Sequence, residues 1–264
     1  MNSFSDGNSF VYQIDLRNEF DFFSSLPKEI QADIERDIVT IIYESFVISA
    51  DEDYLMARFF ARHGLARGFF WAAAQSIEKY LKAFLLFRGH SVKDYKYHPV
   101  KEIFNDVTNS EPSLLRLNIH PHPKIKINNE VAETFLSRFE PTEFVENIAK
   151  QGHPNIRYNG FGTDFDTGYL FALDSLIFKL RESIGVIAIE HSFKNTDAYL
   201  NNIFKDNNYW FCRDSQFVHS ELPSKAFPII APTTVTSLDY IRKNKPNSLA
   251  LTWLNKKMKL PKNK

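Results

Sequence analysis

Apolar residues recur at helical spacing along most of this chain. Between Ser25 and Val47 they fall at Ile30, Ile34, Ile38 and Ile41, one face of a helix introduced by Ser25 and Pro27. A second start follows closely. Ser49, Asp51 and Glu52 supply an N-cap, negative charge in the first turn and the reciprocal glutamate of a capping box, so a separate helix is expected from Ala50 to His63, ended by Gly64. The most regular stretch runs from Gly68 to Arg88, with Phe70, Ala74, Ile77, Leu81 and Phe84 in register and Gly89 placed to stop it. Small residues at Ala72 to Ala74 beside Phe69 to Trp71 suit close approach by neighbours on more than one side, which makes this the expected central helix.

The pattern weakens from His90 to Asn129, and Pro121 and Pro123 interleaved with His120 and His122 make the stretch from Asn118 to Ile127 a loop. Helices are expected over Glu130 to Phe139 and Thr142 to Lys150, broken at Pro141 and closed by Gly152 and Pro154. Asn155 to Gly162 reads as a connector. Thr163 then caps a long helix with Asp164 and Asp166 in its first turn and Tyr169, Leu173, Leu176, Leu180 and Ile184 along one face. Beyond His191 the expected elements are a short helix over Asp197 to Lys205, loop or short strand over Leu222 to Thr236, an amphipathic helix over Ser237 to Lys243, and a basic end through Lys256, Lys257, Lys259, Lys262 and Lys264. The expected fold class is all-α.

Composition narrows the function classes. Hydrophobic residues make up 44% of the 264 positions and charged residues 24%, as in ordinary globular chains. Phenylalanine is unusually frequent, with 25 copies, which points to a Phe-packed core or, in the other reading, to an aromatic surface on which bases stack. Thirty-two basic residues balance thirty-two acidic ones, so no global positive field draws the chain to phosphate backbones, and any nucleic-acid site has to be local. Cys212 is the single cysteine, which excludes an intrachain disulfide framework and a cysteine-built zinc site. His120 and His122 lack a carboxylate or cysteine at ligand spacing, so no metal and no cofactor is expected. No apolar run approaches the ~18 residues that span a bilayer and Met1 to Ser9 do not resemble a secretory leader, so the expectation is a cytoplasmic protein with no membrane partner.

One stripe on the central helix carries charge. Gln75, Glu78, Lys79 and Lys82 occupy adjacent turns, and Glu78 precedes Lys82 by four residues in the orientation that favours an ion pair. The stripe is either solvated or meets other polar residues inside the bundle. Asp53, Tyr54, Ala57 and Arg58, then Ala73, Gln75, Glu78, Lys79, Lys82 and Ala83, then His98 after Gly89, form a series that resembles the first helical pair of the HEPN superfamily. His153, Pro154, Arg157 and Tyr158 resemble that family's Arg-Tyr connector before its last core helix. The resemblance implies a HEPN-like up-and-down helix bundle over residues 49–190, with an N-terminal helical extension over 1–48 and a mixed C-terminal extension over 191–264. It also implies a homodimer and a polar groove that binds a nucleotide, RNA or a partner protein. The residues it points to for that groove are Arg58, Glu78, Lys82, His98, Arg157 and Tyr158.

Catalytic members of that superfamily cleave RNA without a metal, using an Arg to hold the phosphate and a His, four to six residues later, for proton transfer. Here Arg157 is followed by Tyr158, Asn159, Gly160 and Phe161 with no His in reach, so the expectation is a non-catalytic member. Arg58 with His63, Arg116 with His122, and Arg213 with His219 have the spacing elsewhere. Arg213 and His219, with Asp214 just after the Arg, are the candidate catalytic pair of the alternative, a metal-independent endoribonuclease of toxin type. A regulatory partner of a nucleotidyltransferase-like protein is the third reading.

Overall fold

The computed structural model describes residues 10–96, 98–117, 139–154, 165, 167–187, 189, 193, 196–206, 208–212, 241 and 244–258. It is mostly helical, with no strand among the described residues. The elements are α1 (Lys28–Ile42), α2 (Ile48–Arg62), α3 (Ala66–Phe87), α4 (Val100–Ser110), α5 (Pro141–Gln151), α6 (Thr167–Ser183), α7 (Ala198–Lys205) and α8 (Ser248–Lys257).

α1 begins at Lys28 and not at the Ser25 cap. Ser25 lies in a preceding 3-10 turn, where its hydroxyl donates to the Phe22 carbonyl at 2.6 Å. The helix break expected at Ser49 is also absent. A π-helical turn over Tyr43–Val47 joins α1 to α2, and its flanking residues Ile42 and Ile48 keep right-handed helical angles. The reason is tertiary: Val47 and Ala50 are fully buried, and the Ser49 carbonyl accepts from Lys79 on α3. The boundary expected at 48/49 therefore falls inside one continuous helical rod.

α2 and α3 form an antiparallel hairpin around Gly64, whose φ of 65° places it in the left-handed region that glycine occupies without cost. Ser76 donates to the Ala50 carbonyl at 2.9 Å, and at the other end a Cβ on Gly68 would lie 2.6 Å from the Phe60 ring. α3 is the central helix, with Phe69, Phe70, Ala73, Ile77, Leu81 and Phe87 all fully buried. α5 approaches it so closely that a Cβ on Gly152 would stand 2.5 Å from the Phe70 carbonyl oxygen. α4 packs on α3 and α5. It occupies a stretch where no helix was expected, although Val100, Ile103, Phe104 and Val107 are buried at helical spacing.

α6 runs antiparallel to α2, fixed by two buried ion pairs in matching register. Asp51 and Arg58 stand seven residues apart on α2, and Asp174 and Arg181 stand seven apart on α6. Arg181 donates to Asp51, both side chains fully buried, and Arg58 donates to Asp174, both almost so. Each carboxylate also receives a tyrosine hydroxyl: Tyr54 donates to Asp174 at 2.6 Å and Tyr80 donates to Asp51. Burial pushes both phenols well above their ordinary range. Arg58 donates further to the Ile203 and Asp206 carbonyls and so anchors α7.

The terminal stretches join the same core. Phe10 to Gln13 cross the ends of α6 and α3, with Val11 N–H donating to the Ile184 carbonyl at 3.1 Å and Gln13 N–H to that of Phe87 at 2.7 Å. α8 was not expected. It lies beyond the helix anticipated over Ser237 to Lys243, most of which is outside the described residues. Asn247 caps α8, Ala250, Trp253 and Leu254 are buried, and the helix packs on α1. Lys256 and Lys257, expected as part of a basic tail, both pair with Glu19. No helix among the described residues is long and apolar enough to cross a membrane.

Candidate functional site

The polar stripe of α3 divides between two neighbours. Lys79 turns to α2, where it pairs with Asp53 at 2.5 Å. Burial dominates at Asp53 and raises its carboxyl above the usual range despite that lysine. Gln75, Glu78 and Lys82 face the loop that follows α3. Glu78 Oε1 accepts from Lys82 at 2.6 Å, as the four-residue spacing anticipates, and Glu78 Oε2 lies 3.0 Å from His98 Nδ1. The side chains of Glu78, Lys82 and His98 are 10%, 17% and 36% exposed, so the chain of contacts runs from a shielded carboxylate to a ring at the surface.

His98 Nδ1 also lies 3.1 Å from Gln75 Nε2, so one ring nitrogen faces a donor and an acceptor. The charge-assisted bond to a carboxylate is the stronger of the two. The Glu78 contact therefore sets the orientation of the ring at Nδ1, and Nε2 lies on the other side of the ring. The Trp71 ring sits edge-on at 5.6 Å between centroids. The backbone at His98 has φ 57°, a left-handed conformation that is uncommon for any non-glycine residue and costs of order 1–3 kcal/mol where it is imposed. Pro99 follows directly and opens α4 without a side-chain cap. The Glu78–His98 bond and the start of α4 hold the ring in place.

Two cavities flank this chain. His98 lines one of about 630 Å³ between the start of α4 and the end of α5, together with Lys96, Lys101, Glu146, Lys150 and His153. Lys101 pairs with Glu146 at 2.8 Å, which holds the lysine above its ordinary range, whereas Lys96 and Lys150 have no acidic partner among the described residues. Lys82 lines the other cavity, of about 460 Å³, with Lys93, Lys96 and an apolar floor of Phe46, Val92 and Met258. At its edge Tyr95 donates to Asp106, and burial followed by that carboxylate pushes the phenol up to about 12.

No protein-family model, no curated protein and no solved structure matches the chain. The site therefore stands on its own geometry.

The structure brings Glu78, Lys82 and His98 together and sends Arg58 elsewhere. The Arg58 guanidinium is bonded to Asp174 and to two carbonyls of the α7 region, where it locks helices. His63, with the spacing to pair with Arg58 in catalysis, instead meets the Tyr199 hydroxyl at 2.8 Å. Arg157, Tyr158, Arg213 and His219 lie outside the described residues. No group of three or more His, Cys, Asp or Glu among the described residues is arranged to hold a metal ion. The contributions of Lys96, Lys150 and Trp71 were not anticipated. The first two are isolated lysines in segments far apart in sequence, and only the fold makes them neighbours of one cavity.

Proposed function

We propose that this helical protein, HEPN-like in its central helices, binds a phosphate-bearing ligand, a nucleotide or short RNA, in the groove around His98 and does not cleave it. The observation that carries the reading is a hydrogen-bonded histidine, held at positive φ, on the rim of a cavity of about 630 Å³ that is also lined by two lysines with no acidic partner among the described residues. A cavity of that size suits a small molecule, lysine charge suits phosphate, and an imidazole suits ribose or base edges. The uncapped start of α4 at the same rim adds backbone N–H groups with no helical acceptor. Binding without cleavage is supported by the commitment of Arg58 to Asp174, which removes the guanidinium of the Arg58–His63 pair from any phosphate. The resemblance adds a homodimer to this reading, which sedimentation would check.

The test is thermal stabilisation by nucleoside phosphates and short RNAs. A ligand at a hundredfold excess over its dissociation constant adds about 2.7 kcal/mol of apparent stability. The shift should vanish in His98→Ala and in Lys150→Glu. A wild-type protein that no phosphate ligand stabilises, and that co-purifies with another protein, would favour the partner-protein readings, including a nucleotidyltransferase-like partner. Cleavage of RNA abolished by His219→Ala would favour the endoribonuclease.

A further inference from the structure

The smaller cavity has a chemistry of its own. Phe46, Val92 and Met258 give it an apolar floor, and Lys82, Lys93 and Lys96 line it with no acidic residue in its wall among the described residues. Lys82 is already paired with Glu78, so the charge left to a ligand lies on the other two lysines. Lys93 donates to a neutral acceptor, the Asn255 carbonyl near the end of α8, and keeps its full charge. Lys96 is exposed. The wall is built from segments far apart in sequence. The Val92 N–H and the Ser91 hydroxyl both donate to the Lys257 carbonyl, at 2.9 and 3.4 Å, which clamps the loop after α3 to the end of α8. Phe46 comes from the π turn between α1 and α2, and single π turns inside helices are frequent at functional sites. Met258 adds a flexible, polarisable side chain that adapts to the shape laid against it.

We infer that this cavity, of about 460 Å³, is a second and separate binding site for a small organic carboxylate, its charged end met by Lys93 and Lys96 and its acyl or aryl body laid on Phe46, Val92 and Met258. A volume of that order takes a small molecule. A bare inorganic anion would leave the apolar floor unused, and a neutral apolar molecule would leave the lysines without a counter-charge. A carboxylate with an apolar body satisfies both. The inference does not depend on the phosphate groove, whose wall at His98, Glu102, Glu146 and His153 is polar and mixed in charge.

The methionines make the test direct. The chain has three, Met1, Met56 and Met258, of which Met258 lines the cavity and Met56 is exposed on α2 outside it. With the full chain labelled with ¹³C at the methionine methyls, titration near neutral pH and at fixed salt should move the Met258 signal and leave that of Met56 in place. The probes are hexanoate, octanoate, 3-phenylpropanoate and octanol. Octanoate should bind more tightly than hexanoate, by about fourfold for each added methylene that is fully buried, and at least about tenfold more tightly than octanol, which lacks the charge. Lys93→Gln should weaken octanoate by about tenfold, and the Met258 signal of the unliganded variant reports whether the wall is intact. Whichever of octanoate and 3-phenylpropanoate binds more tightly identifies the body as acyl or aryl. Octanol as tight as octanoate, equal affinity for hexanoate and octanoate, or no movement of Met258 with any probe overturns the inference and leaves the phosphate groove standing. A nucleoside 5′-monophosphate that displaces octanoate also overturns it, because the cavity would then belong to the phosphate site.

Discussion

Replacing Arg181 by methionine keeps much of the side-chain volume and removes the charge that faces Asp51. Both side chains of this pair are fully buried, so the Asp51 carboxylate would keep the Tyr80 hydroxyl but lose its guanidinium partner in the core. The change deletes the charge-assisted bond to Asp51, worth about 1.5–3 kcal/mol, and the 3.0 Å bond to Tyr80, worth about 1 kcal/mol. Their total agrees with the ~3–5 kcal/mol seen when one member of a buried pair is removed. For a chain of this size that is roughly 10 °C in Tm. Urea unfolding followed by circular dichroism should show the midpoint fall with an unchanged slope. The double variant Asp51→Asn with Arg181→Met should be more stable than the two single losses added together, by about 2 kcal/mol, because it leaves no uncompensated charge. Lys82→Met, which breaks a partly exposed pair, should cost about 1 kcal/mol or less. A loss below about 1 kcal/mol for Arg181→Met, or strict additivity in the double variant, would refute the account of this pair as a buried, mutually dependent unit.

The two α2–α6 pairs are about 10 Å apart along the helices, so Tyr54→Phe and Tyr80→Phe should destabilise independently, with the double variant equal to the sum within about 0.5 kcal/mol in the same assay. Gly152→Ala should cost about 1–3 kcal/mol in a thermal melt, since its Cβ would meet the Phe70 carbonyl and α5 would have to move off α3. Glu44 has its carboxyl raised above the usual 4.5 by burial alone. The native state then holds the proton more tightly than the unfolded chain, so stability falls as pH rises through the window between the two values. Glu44→Gln should therefore be more stable than wild type at pH 7, and the difference should fade as pH falls to 4.5 and below, as melts across that range would record. His98→Gly should relieve the left-handed backbone at φ 57° and leave stability close to wild type while abolishing nucleotide-induced stabilisation, a separation that a melt with and without ligand detects.

Legibility in the sequence followed how local each determinant is. α3 was readable because fully buried residues such as Phe70, Ile77 and Leu81 recur along a helix closed by Gly89 at φ 79°. The capping-box residues Ser49 and Glu52 were a true local signal that tertiary packing overrode, since burial of Val47 and Ala50 keeps the chain coiled through a π turn. α4 carried the right spacing, but Asn105, Asp106, Thr108 and Asn109 are poor helix formers and diluted it. At the site, the Glu78–Lys82 pair followed from four-residue spacing, and His98 from the family resemblance. Arg58 was misassigned to that groove because its partner Asp174 is on a distant helix and matches it only in the folded register. The two cavities were invisible for the same reason.

The docking of α8 on α1 bears on how the chain acquires its structure during synthesis. Asn247 N–H donates to Asp37 at 2.7 Å, and Val92 N–H donates to the Lys257 carbonyl at 2.9 Å, so the last helix completes both the packing of the first and the wall of the smaller cavity. About 200 residues separate the end of α1 from the start of α8, which at 5–20 residues per second is an interval of roughly 10–40 s. Throughout that interval the emerging polypeptide presents an apolar surface that has no native covering. A premature stop before residue 248 would leave that surface uncovered for good, so a product truncated there should be less stable and less soluble than the full chain.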